Sequence, residues 1–338
     1  MSHKKYVGDL GELKIIKIID NLIFKKTGKE LIQDDSVFFS LKKLDFQNNL
    51  ILNSDMFVST TDAPKQMTFH QIGRKSVLMN ISDLMVKGVR PKGIIISLGI
   101  PDNLSMNSFY ELMSGIIDYC KKWNLDYIGG DINKTKELII NPTVFGFKDS
   151  SLIIFRSGIH IGDILVVNNK FGLTGVGFNI LIRKKGNLKK YPKYKRSILS
   201  VLEPEDPGDE GYILANNRLA TSSIDSSDGL AKSLRDLMLA NPHIGFKIDY
   251  NDNLIHNEAL LFSQEYSFPL EKLIFEGGEE FIQLFTVSSS NIETAQKMVK
   301  EGGGKLFKIG NVISEEKIYF KKNNTKLELK SQGFEHFK

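Results

Sequence analysis

The sequence predicts a two-domain protein of the mixed α/β (α+β) class. The chain has 338 residues, which is more than a single hydrophobic core usually organises. Segments with strand and helix periodicity alternate along both halves, and a polar stretch at residues 149–152 separates them. We therefore predict an N-terminal mixed α/β domain over residues 1–149 and a C-terminal α/β domain over residues 150–338.

The first half begins with an amphipathic helix within Gly8–Phe24, followed by short strands at Val37–Phe39 and Leu50–Val58. A turn is expected at Ser59–Pro64, because serine, threonine, aspartate and proline favour turns. The remaining predicted elements are a helix that ends at Gly88, a strand over Gly93–Leu98, a helix over Met106–Trp123 capped by Ser105, and strands over Leu125–Ile128 and Ile139–Phe147.

The second half continues the alternation, with a strand over Ile164–Val167 and a glycine-rich segment, Phe171–Phe178, before a helix. That segment matches neither GxGxxG nor GxxxxGK[ST], so it is a weak phosphate-binding signal. The other predicted elements are helices over Tyr212–Thr221, from Leu230 onward and over Asn291–Glu301, and strands over Phe281–Val287 and Leu306–Val312.

Composition excludes several classes of protein. No apolar run reaches the roughly 20 residues of a membrane helix, and the N-terminus lacks an apolar signal core, so we expect a cytoplasmic protein without membrane partners. The single cysteine, Cys120, excludes an internal disulfide and a multi-cysteine zinc site. The six histidines are scattered without HxxxH or HxH spacing.

The net charge of +5 is small for this length and does not by itself indicate nucleic acid. One stretch, Arg183–Arg196, holds eight basic residues in fourteen with Tyr191 and Tyr194 interleaved. Such a stretch can follow a phosphate backbone. We favour the alternative, an exposed helix end and loop, and do not expect a nucleic-acid partner.

The most informative stretch is Asn80–Pro91, because it places the carboxylate of Asp83 in a run with buried-helix spacing. A carboxylate in such surroundings requires compensating charge or hydrogen bonds. Taken alone, Asp83 would be interpreted as an aspartate that is capped or paired with Lys75 or Lys87.

Similar aspartates recur along the chain at strand ends and helix starts. They are Asp35, Asp55, Asp131, Asp225 and Asp228. Each has an ordinary alternative, such as an N-cap for Asp228 or a simple turn for Gly129-Gly130-Asp131. Carboxylates that converge require cations between them, and oxygen ligands without cysteine or histidine select Mg²⁺. Because Mg²⁺ prefers one or two carboxylates per ion, this number predicts several ions and a polyphosphate ligand.

These motifs together resemble the thiamine-monophosphate kinase family, whose superfamily includes aminoimidazole ribonucleotide synthetase, selenophosphate synthetase and a hydrogenase maturation enzyme. The Ser59–Met67 region and Gly73-Arg74-Lys75 resemble the archaeal branch. The motifs that carry the resemblance are Gly11-Glu12, Asp34-Asp35, Ser54-Asp55-Met56, Asn80–Leu84, Gly129-Gly130-Asp131, Arg156-Ser157-Gly158, Gly162-Asp163, Ile224–Leu230, Gly277-Gly278-Glu279 and Gly333–Phe337.

The resemblance implies a dimerising, metal- and ATP-binding N-terminal domain, and a C-terminal domain of the aminoimidazole ribonucleotide synthetase-like type that completes the site. Metal ligands would be Asp35, Asn53, Ser54, Asp55, Asp83, Asp131, Asp225 and Asp228, with Asp83, Asp131 and Asp228 as the catalytic set. ATP contacts would be Gly130, Asp131, Arg156 and Ser227, and substrate contacts Asp62, Glu279 and Phe334.

Several positions depart from the family pattern. Asn53 replaces a serine or threonine, so its metal contact is expected through the backbone carbonyl, and Asp62 replaces a substrate-contacting histidine. Ile132-Asn133 replaces two threonines, and Glu280–Gln283 replaces an acid-aromatic-acid sequence, which alters the expected substrate fit.

The expected reaction is direct in-line transfer of a phosphoryl group from ATP to thiamine monophosphate with Mg²⁺, in a homodimer. Three alternatives stay open: aminoimidazole ribonucleotide synthetase-like chemistry on the same fold, a family member that only senses its ligand, and nucleic-acid binding through Arg183–Arg196. The other two superfamily enzymes need a terminal reactive cysteine or selenocysteine, whereas Cys120 lies in mid-chain.

Overall fold

The computed structural model describes residues 6–10, 12–29, 48–322 and 325–333. The predictions for Asp35, for the strand at Val37–Phe39 and for Phe334 fall outside these residues. The chain divides into two units. Unit 1 comprises Met1–Leu84 and Arg90–Ser150, and unit 2 comprises Met85–Val89 and Ser151–Lys338. The predicted α/β class is confirmed, because each unit combines one mixed sheet with helices.

Unit 1 is built around a mixed sheet with the strand order β1-β5-β3-β4, in which β2 also pairs with β5. Strands β3 and β4 are parallel, and the other pairs are antiparallel. Its elements are α1 (Glu12–Thr27), β1 (Asn48–Asn53), β2 (Phe57–Val58), α2 (Ser59–Asp62), α3 (Phe69–Val86), β3 (Pro91–Ile100), α4 (Met106–Lys122), β4 (Asp126–Lys134) and β5 (Ile139–Asp149).

Helix α4 forms as its periodicity predicts. Ser105 accepts a hydrogen bond from the Ser108 N–H at 3.1 Å and so caps the helix. Its apolar face is buried, as expected for an amphipathic helix. Backbones approach closely at two glycines: a Cβ on Gly115 would lie 2.0 Å from the carbonyl oxygen of His70 in α3, and one on Gly73 2.3 Å from that of Leu112.

Unit 2 contains a larger sheet, whose described strands have the order β12-β11-β8-β10-β6-β9-β7. Only β11 and β8 pair in parallel. The elements are β6 (Ile164–Val167), α5 (Leu173–Phe178), α6 (Lys195–Leu202), α7 (Glu210–Asn216), β7 (Ala220–Ser226), α8 (Leu230–Ala240), β8 (Gly245–Ile248), α9 (Asn257–Tyr266), α10 (Leu270–Phe275), β9 (Ile282–Val287), α11 (Ile292–Glu301), β10 (Phe307–Ile313), β11 (Ile318–Lys322) and β12 (Thr325–Glu328).

Some predicted boundaries are wrong. The strand predicted over Leu50–Val58 is interrupted at residues 54–56, where the Ser54 side chain and the Asp55 backbone bond to neighbouring elements, and the turn predicted after it is the short helix α2. The helix predicted over Tyr212–Thr221 ends at Asn216, and strand β7 begins at Ala220. A search of the described helices for one long and apolar enough to cross a bilayer finds none.

Candidate active site

In unit 1, helix α3 holds the end of β1 through two polar residues spaced one turn apart. The Asn53 side-chain amide donates a hydrogen bond to Asp83 Oδ2. The fully buried Asn80 accepts from the Asp55 N–H at 2.8 Å and donates to the Asp55 carbonyl at 3.2 Å. Residues at i and i+3 lie on one helix face, so Asn80 and Asp83 together bring Asn53 and Asp55 to this face.

Asn80 had no assigned role in the sequence-based prediction. The signal that could have found it is a buried amide three residues before Asp83 on an otherwise apolar face. Lys75 and Lys87, the expected partners of Asp83, also donate elsewhere. Lys75 Nζ donates to the Asp62 carbonyl at 2.7 Å, and Lys87 Nζ donates to Ser223 in unit 2, to which Lys87 itself belongs.

Ser54 lies beside strand β5, where its hydroxyl donates to the Pro142 carbonyl at 3.1 Å and accepts from Thr143 at 3.0 Å. Ser54 Oγ also lies 3.3 Å from the side-chain oxygen of Asn141. The sheet register aligns Asn141 with Ser97 on β3, and Ser97 with Asp131 on β4. Polar side chains therefore form a row across this part of the sheet.

The sequence Gly129-Gly130-Asp131 is not a turn, because β4 continues through it to Lys134. Gly129 has a φ of +155°, next to a register shift in the β3–β4 pair. A Cβ on Gly130 would lie 1.9 Å from the Ile96 carbonyl oxygen, so only glycine permits this close approach of the two strands. The carboxylate-bearing residue that follows, Asp131, is exposed.

Asp62 contacts a different part of unit 1. Its Oδ2 accepts a hydrogen bond from the Val58 N–H at 2.7 Å, which closes the α2 turn. Lys75, a fully buried lysine, donates to the Asp62 carbonyl and lies 5.6 Å from the centre of the Phe57 ring. These contacts give Asp62 a structural function in α2.

In unit 2, two loops bring Ser227, Asp228 and Glu279 together. The Glu279 N–H donates to the Ser227 carbonyl at 2.5 Å, and the Phe281 N–H donates to the Ser226 carbonyl at 3.0 Å. A Cβ on Gly229 would lie 2.9 Å from the Phe275 carbonyl oxygen, so glycine is required where these backbones meet.

The acids of this loop are placed by the end of β7. Asp225 is the second-last residue of β7, is 6% exposed and pairs in register with Gln283. Gly229, with a φ of +92°, occupies the N-cap position of α8, so the N-cap interpretation of Asp228 is wrong.

Arg156 is exposed on a loop that lies beside β7. The buried Asn241 fixes this loop, because its amide donates to the Arg156 carbonyl at 2.8 Å and its oxygen accepts from the N–H groups of Gly158 and Ile159 at 2.9 and 3.1 Å. The backbone N–H of Ser223 in β7 donates to the Phe155 carbonyl at 2.9 Å. Asn241 is a second supporting residue that the sequence-based prediction missed.

The oxygen ligands in these two regions fit Mg²⁺ chemically. Aspartate, asparagine and serine oxygens are its usual protein ligands, and it takes few carboxylates per ion. Within the described residues, no group of three or more His, Cys, Asp or Glu side chains is arranged to hold a metal alone.

Most basic side chains of the stretch Arg183–Arg196 are exposed, but some of its residues make contacts within unit 2. Tyr194 is fully buried and donates to Glu265 at 2.9 Å, and Lys193 forms an ion pair with the same carboxylate. Lys184 Nζ lies 3.8 Å from the centre of the Tyr266 ring. The buried Tyr194 ring cannot stack on a base, which weakens the nucleic-acid alternative.

Comparison with known proteins gives consistent similarities. Residues 33–147 match the family model described as AIR synthase related protein, N-terminal domain. A thiamine-monophosphate kinase of Nitrosopumilus maritimus is 30% identical over 97% of this chain and 99% of its own length. The fold resembles that of the Stenotrophomonas maltophilia K279a thiamine-monophosphate kinase, with a TM-score of 0.76 at 18% identity, over 89% of this chain and 94% of that one. It also resembles the structure of AaThiL complexed with AMPPCP and TMP, with a TM-score of 0.71 at 23% identity, over 99% and 100%.

Proposed function

This chain belongs to the thiamine-monophosphate kinase family and is a phosphotransferase, and from this premise we propose that it transfers the γ-phosphoryl group of ATP to thiamine monophosphate. The products are ADP and thiamine diphosphate. The observation that supports the proposal is the pair of contacts from helix α3: Asp83 accepts from the Asn53 amide, and Asn80 bonds to the backbone of Asp55. They bring Asn53 and Asp55 to the helix face that carries the Asp83 carboxylate. The AMPPCP and TMP of the related AaThiL complex support the choice of substrates.

The proposed metal ligands are oxygen-bearing residues, most of them in the sequence of unit 1 and the last two in unit 2. They are Asp35, Asn53, Ser54, Asp55, Asp83, Asp131, Asp225 and Asp228. Mg²⁺ ions bound there would supply positive charge to the ATP phosphates and lower the repulsion between the two anionic reactants. Because the Asn53 amide donates to Asp83, its side-chain oxygen and its backbone carbonyl are the atoms left for a metal.

The chain's own contribution is positioning and charge. Arg156 provides an exposed guanidinium for phosphate oxygens, since such groups bind phosphate in a bidentate manner. Gly130 allows the close approach of backbone at β4, and Ser227 offers a hydroxyl for ATP. Asp83, Asp131 and Asp228 are the proposed catalytic carboxylates, through the metals that they hold.

No general base is needed for this reaction. The second pKa of a phosphate monoester is near 6, so the accepting oxygen is largely ionised at neutral pH. The remaining barrier is the approach of two anions in line, which fixed positive charge and orientation lower. The proposed residues position the reactants, and none of them accepts or donates a proton during the transfer.

Glu279 and Phe334 are proposed to bind the thiamine moiety. Phe334 would stack on the cationic heterocycle, because aromatic faces attract cations. The backbone N–H of Glu279 donates to the Ser227 carbonyl, which holds the two residues next to each other. A substrate bound by the Glu279 side chain would therefore lie near the proposed nucleotide contact Ser227. Asp62, whose carboxylate closes α2, is retained as a weaker substrate candidate.

The protein is proposed to act as a cytoplasmic homodimer. Leu50, Leu52 and Met56 are 54%, 59% and 53% exposed on unit 1. Neighbouring apolar side chains that remain exposed in one unit indicate a protein interface. A second copy of the chain is the occupant that the family resemblance implies.

The direct test is incubation with ATP, Mg²⁺ and thiamine monophosphate, with thiamine diphosphate measured by chromatography. Stoichiometric formation of ADP and thiamine diphosphate is the expected result. The matched comparison supplies the aminoimidazole-pathway substrate instead of thiamine monophosphate. If only that substrate is converted, thiamine monophosphate is not the acceptor. Binding of both nucleotide and thiamine monophosphate without turnover would indicate a sensor and would contradict the proposed kinase activity.

A further inference from the structure

Unit 2 contains a cavity of about 560 Å³ that includes none of the residues assigned to the active site. It lies where β6 ends and β9 and β10 begin, and its lining includes Lys170, Arg196, His256, Glu280 and Lys305. A volume of this size holds a small molecule of nucleotide dimensions.

The cavity wall is fixed by a buried polar network rather than by mobile side chains. The fully buried Gln283 accepts from the Gly211 N–H at 2.9 Å and donates to the Gly208 carbonyl at 2.9 Å. Its backbone N–H donates to the Asn168 side-chain oxygen at 2.9 Å. Satisfied buried networks of this kind make a rigid wall.

The acids of the cavity are already committed to protein donors. Glu210 accepts from the Asn168 amide at 3.3 Å and from the Lys305 N–H at 3.2 Å. Glu205 accepts from the Asn169 amide at 3.2 Å and pairs with Arg196 at 3.7 Å. Asp206, the third acid, also has an interaction partner.

The fourth acid, Glu280, differs from these three. Its Oε1 accepts from the N–H groups of Gly172 and Thr174 at 2.8 and 3.1 Å. Its Oε2 is buried and has no hydrogen-bond partner in the part of the chain that the structure describes. Burial raises the pKa of this carboxyl to about 8, against the lowering effect of the backbone N–H groups of Thr174, Gly172 and Leu173, so it is mostly neutral at pH 7.

The basic side chains that line the cavity have fewer hydrogen-bond partners among the described residues than the acidic ones. Across residues 48–322, no carboxylate forms an ion pair with the ammonium group of Lys170 or Lys305. Burial, followed by the charges of Arg196 and Lys170, lowers the pKa of His256, although Glu258 opposes this. Two cations that line the cavity, Lys170 and Lys305, are therefore outside the ion pairs of residues 48–322, although Lys170 Nζ lies 5.8 Å from the centre of the Phe307 ring.

From this arrangement we propose that the cavity is a second binding site, which takes a phosphate-bearing small molecule between Lys170, Lys305 and Arg196. Phosphate oxygens would accept from the two ammonium groups, as charge-assisted hydrogen bonds.

This site is connected to the active-site loop by one short segment. Glu280 lies between Glu279 and Phe281, which have φ values of +60° and +50° and donate to the carbonyls of Ser227 and Ser226. Non-glycine residues in the left-handed region are strained and persist only when surrounding contacts hold them. A ligand that contacts Glu280 therefore acts on the segment that carries Glu279.

The test is isothermal titration of the intact protein in EDTA, which removes metal-mediated phosphate binding, with inorganic pyrophosphate and ADP as probes. At least one probe is expected to bind, and the Lys170→Ala/Lys305→Ala variant should bind it at least 10-fold more weakly. The matched control, Lys300→Ala/Lys308→Ala, removes the same charge outside the cavity and should bind as the parent does. Tighter binding of ADP than of pyrophosphate would identify a nucleotide as the ligand, and equal binding would identify the phosphates alone.

A second variant separates this cavity from the active site. Arg156→Ala alters a proposed ATP contact, and it should leave the binding in EDTA unchanged. The proposal is overturned if neither probe binds, if the Lys170→Ala/Lys305→Ala variant binds as the parent does, or if Arg156→Ala alone abolishes binding. Circular dichroism of each variant verifies that the fold is retained.

Discussion

Asp83 and Asp228 provide the sharpest test of individual residues. Asparagine keeps the size of each side chain but removes the charge that is proposed to hold Mg²⁺. We expect Asp83→Asn and Asp228→Asn each to lower kcat at least about 100-fold, because about 1.4 kcal/mol of lost transition-state stabilisation is a factor of ten and metal charge contributes several such units. Steady-state formation of thiamine diphosphate measures the change.

The control for these variants is Asp102→Asn. Asp102 is an exposed aspartate that pairs with Lys134 on the surface of unit 1. Its substitution should leave both turnover and the unfolding temperature unchanged, since exposed pairs contribute little. Near-normal turnover of both Asp83→Asn and Asp228→Asn would refute their assignment as metal ligands.

Glu280 makes the stability of the protein depend on pH. Its pKa is raised from 4.5 to about 8, so between these values the unfolded chain is ionised there while the folded chain keeps the proton. The folded state then binds more protons than the unfolded state, and the free energy of unfolding falls as pH rises, by at most about 1.4 kcal/mol per pH unit. Below pH 4.5 the protonated Glu280 makes its full contribution to the free energy of unfolding, and above pH 8 that contribution is lost.

Glu280→Gln removes this titration while it keeps the shape of the side chain. Urea unfolding at pH 5.5, 6.5, 7.5 and 8.5 should show a steeper loss of stability for the parent protein than for the variant. Parallel curves for the two proteins would mean that the buried carboxyl does not titrate in this range.

At the scale of elements, Gly130 in β4 makes a specific prediction. A Cβ there would lie 1.9 Å from the Ile96 carbonyl oxygen, so alanine must displace β4 from β3 and move the adjacent Asp131. We expect Gly130→Ala to raise KM for ATP at least 10-fold and to lower the free energy of unfolding by about 1–3 kcal/mol. ATP saturation kinetics and urea unfolding measure the two effects.

Gly28→Ala is the matched control for this substitution. Gly28 has a φ of +72°, but a Cβ there would meet nothing within 4 Å, so alanine adds only backbone strain. Its KM for ATP should stay at the parent value. An unchanged KM in Gly130→Ala would show that the close approach of β3 and β4 does not position Asp131.

Sequence patterns predicted the elements that periodicity controls and failed where side-chain contacts override it. Helix α4 was predicted almost to the residue, because its apolar face and its Ser105 cap are local features. Gly129-Gly130-Asp131 has the composition of a turn, yet pairing with β3 holds it in a strand. The segment 54–56 lies inside an apolar run that has the pattern of a strand, yet Asn80 bonds to the backbone of Asp55 and the Thr143 hydroxyl to Ser54, and the strand is interrupted there.

At the scale of the whole molecule, the family was correctly identified from dispersed motifs, whose order and spacing are properties of the sequence. The supporting residues were not, because Asn80 and Asn241 act through backbone contacts with segments distant in the chain. The cavity of unit 2 was also not predictable, since it depends on the register of β6, β9 and β10. The roles assigned to the metal and substrate residues stay predictions.

The homodimer is the prediction that belongs to the whole molecule. Leu50 and Leu52 point to one face of β1, because side chains alternate along a strand, and both are more than half exposed. Charged residues there would place ammonium groups in an apolar interface, which is strongly unfavourable. We expect Leu50→Lys/Leu52→Lys to elute at the monomer mass of 38.2 kDa in light scattering, whereas the parent protein elutes at about twice that mass.

The matched control for the interface is Leu239→Lys/Leu261→Lys, which alters two exposed leucines of unit 2 that are 81% and 52% exposed. It should keep the mass of the parent protein, because scattered apolar side chains on a surface are common and carry no interface. A parent protein that elutes as a monomer at micromolar concentration would contradict the dimer. If both double variants elute at the same mass, the interface does not lie on the β1 face, because only that face is expected to be buried between copies.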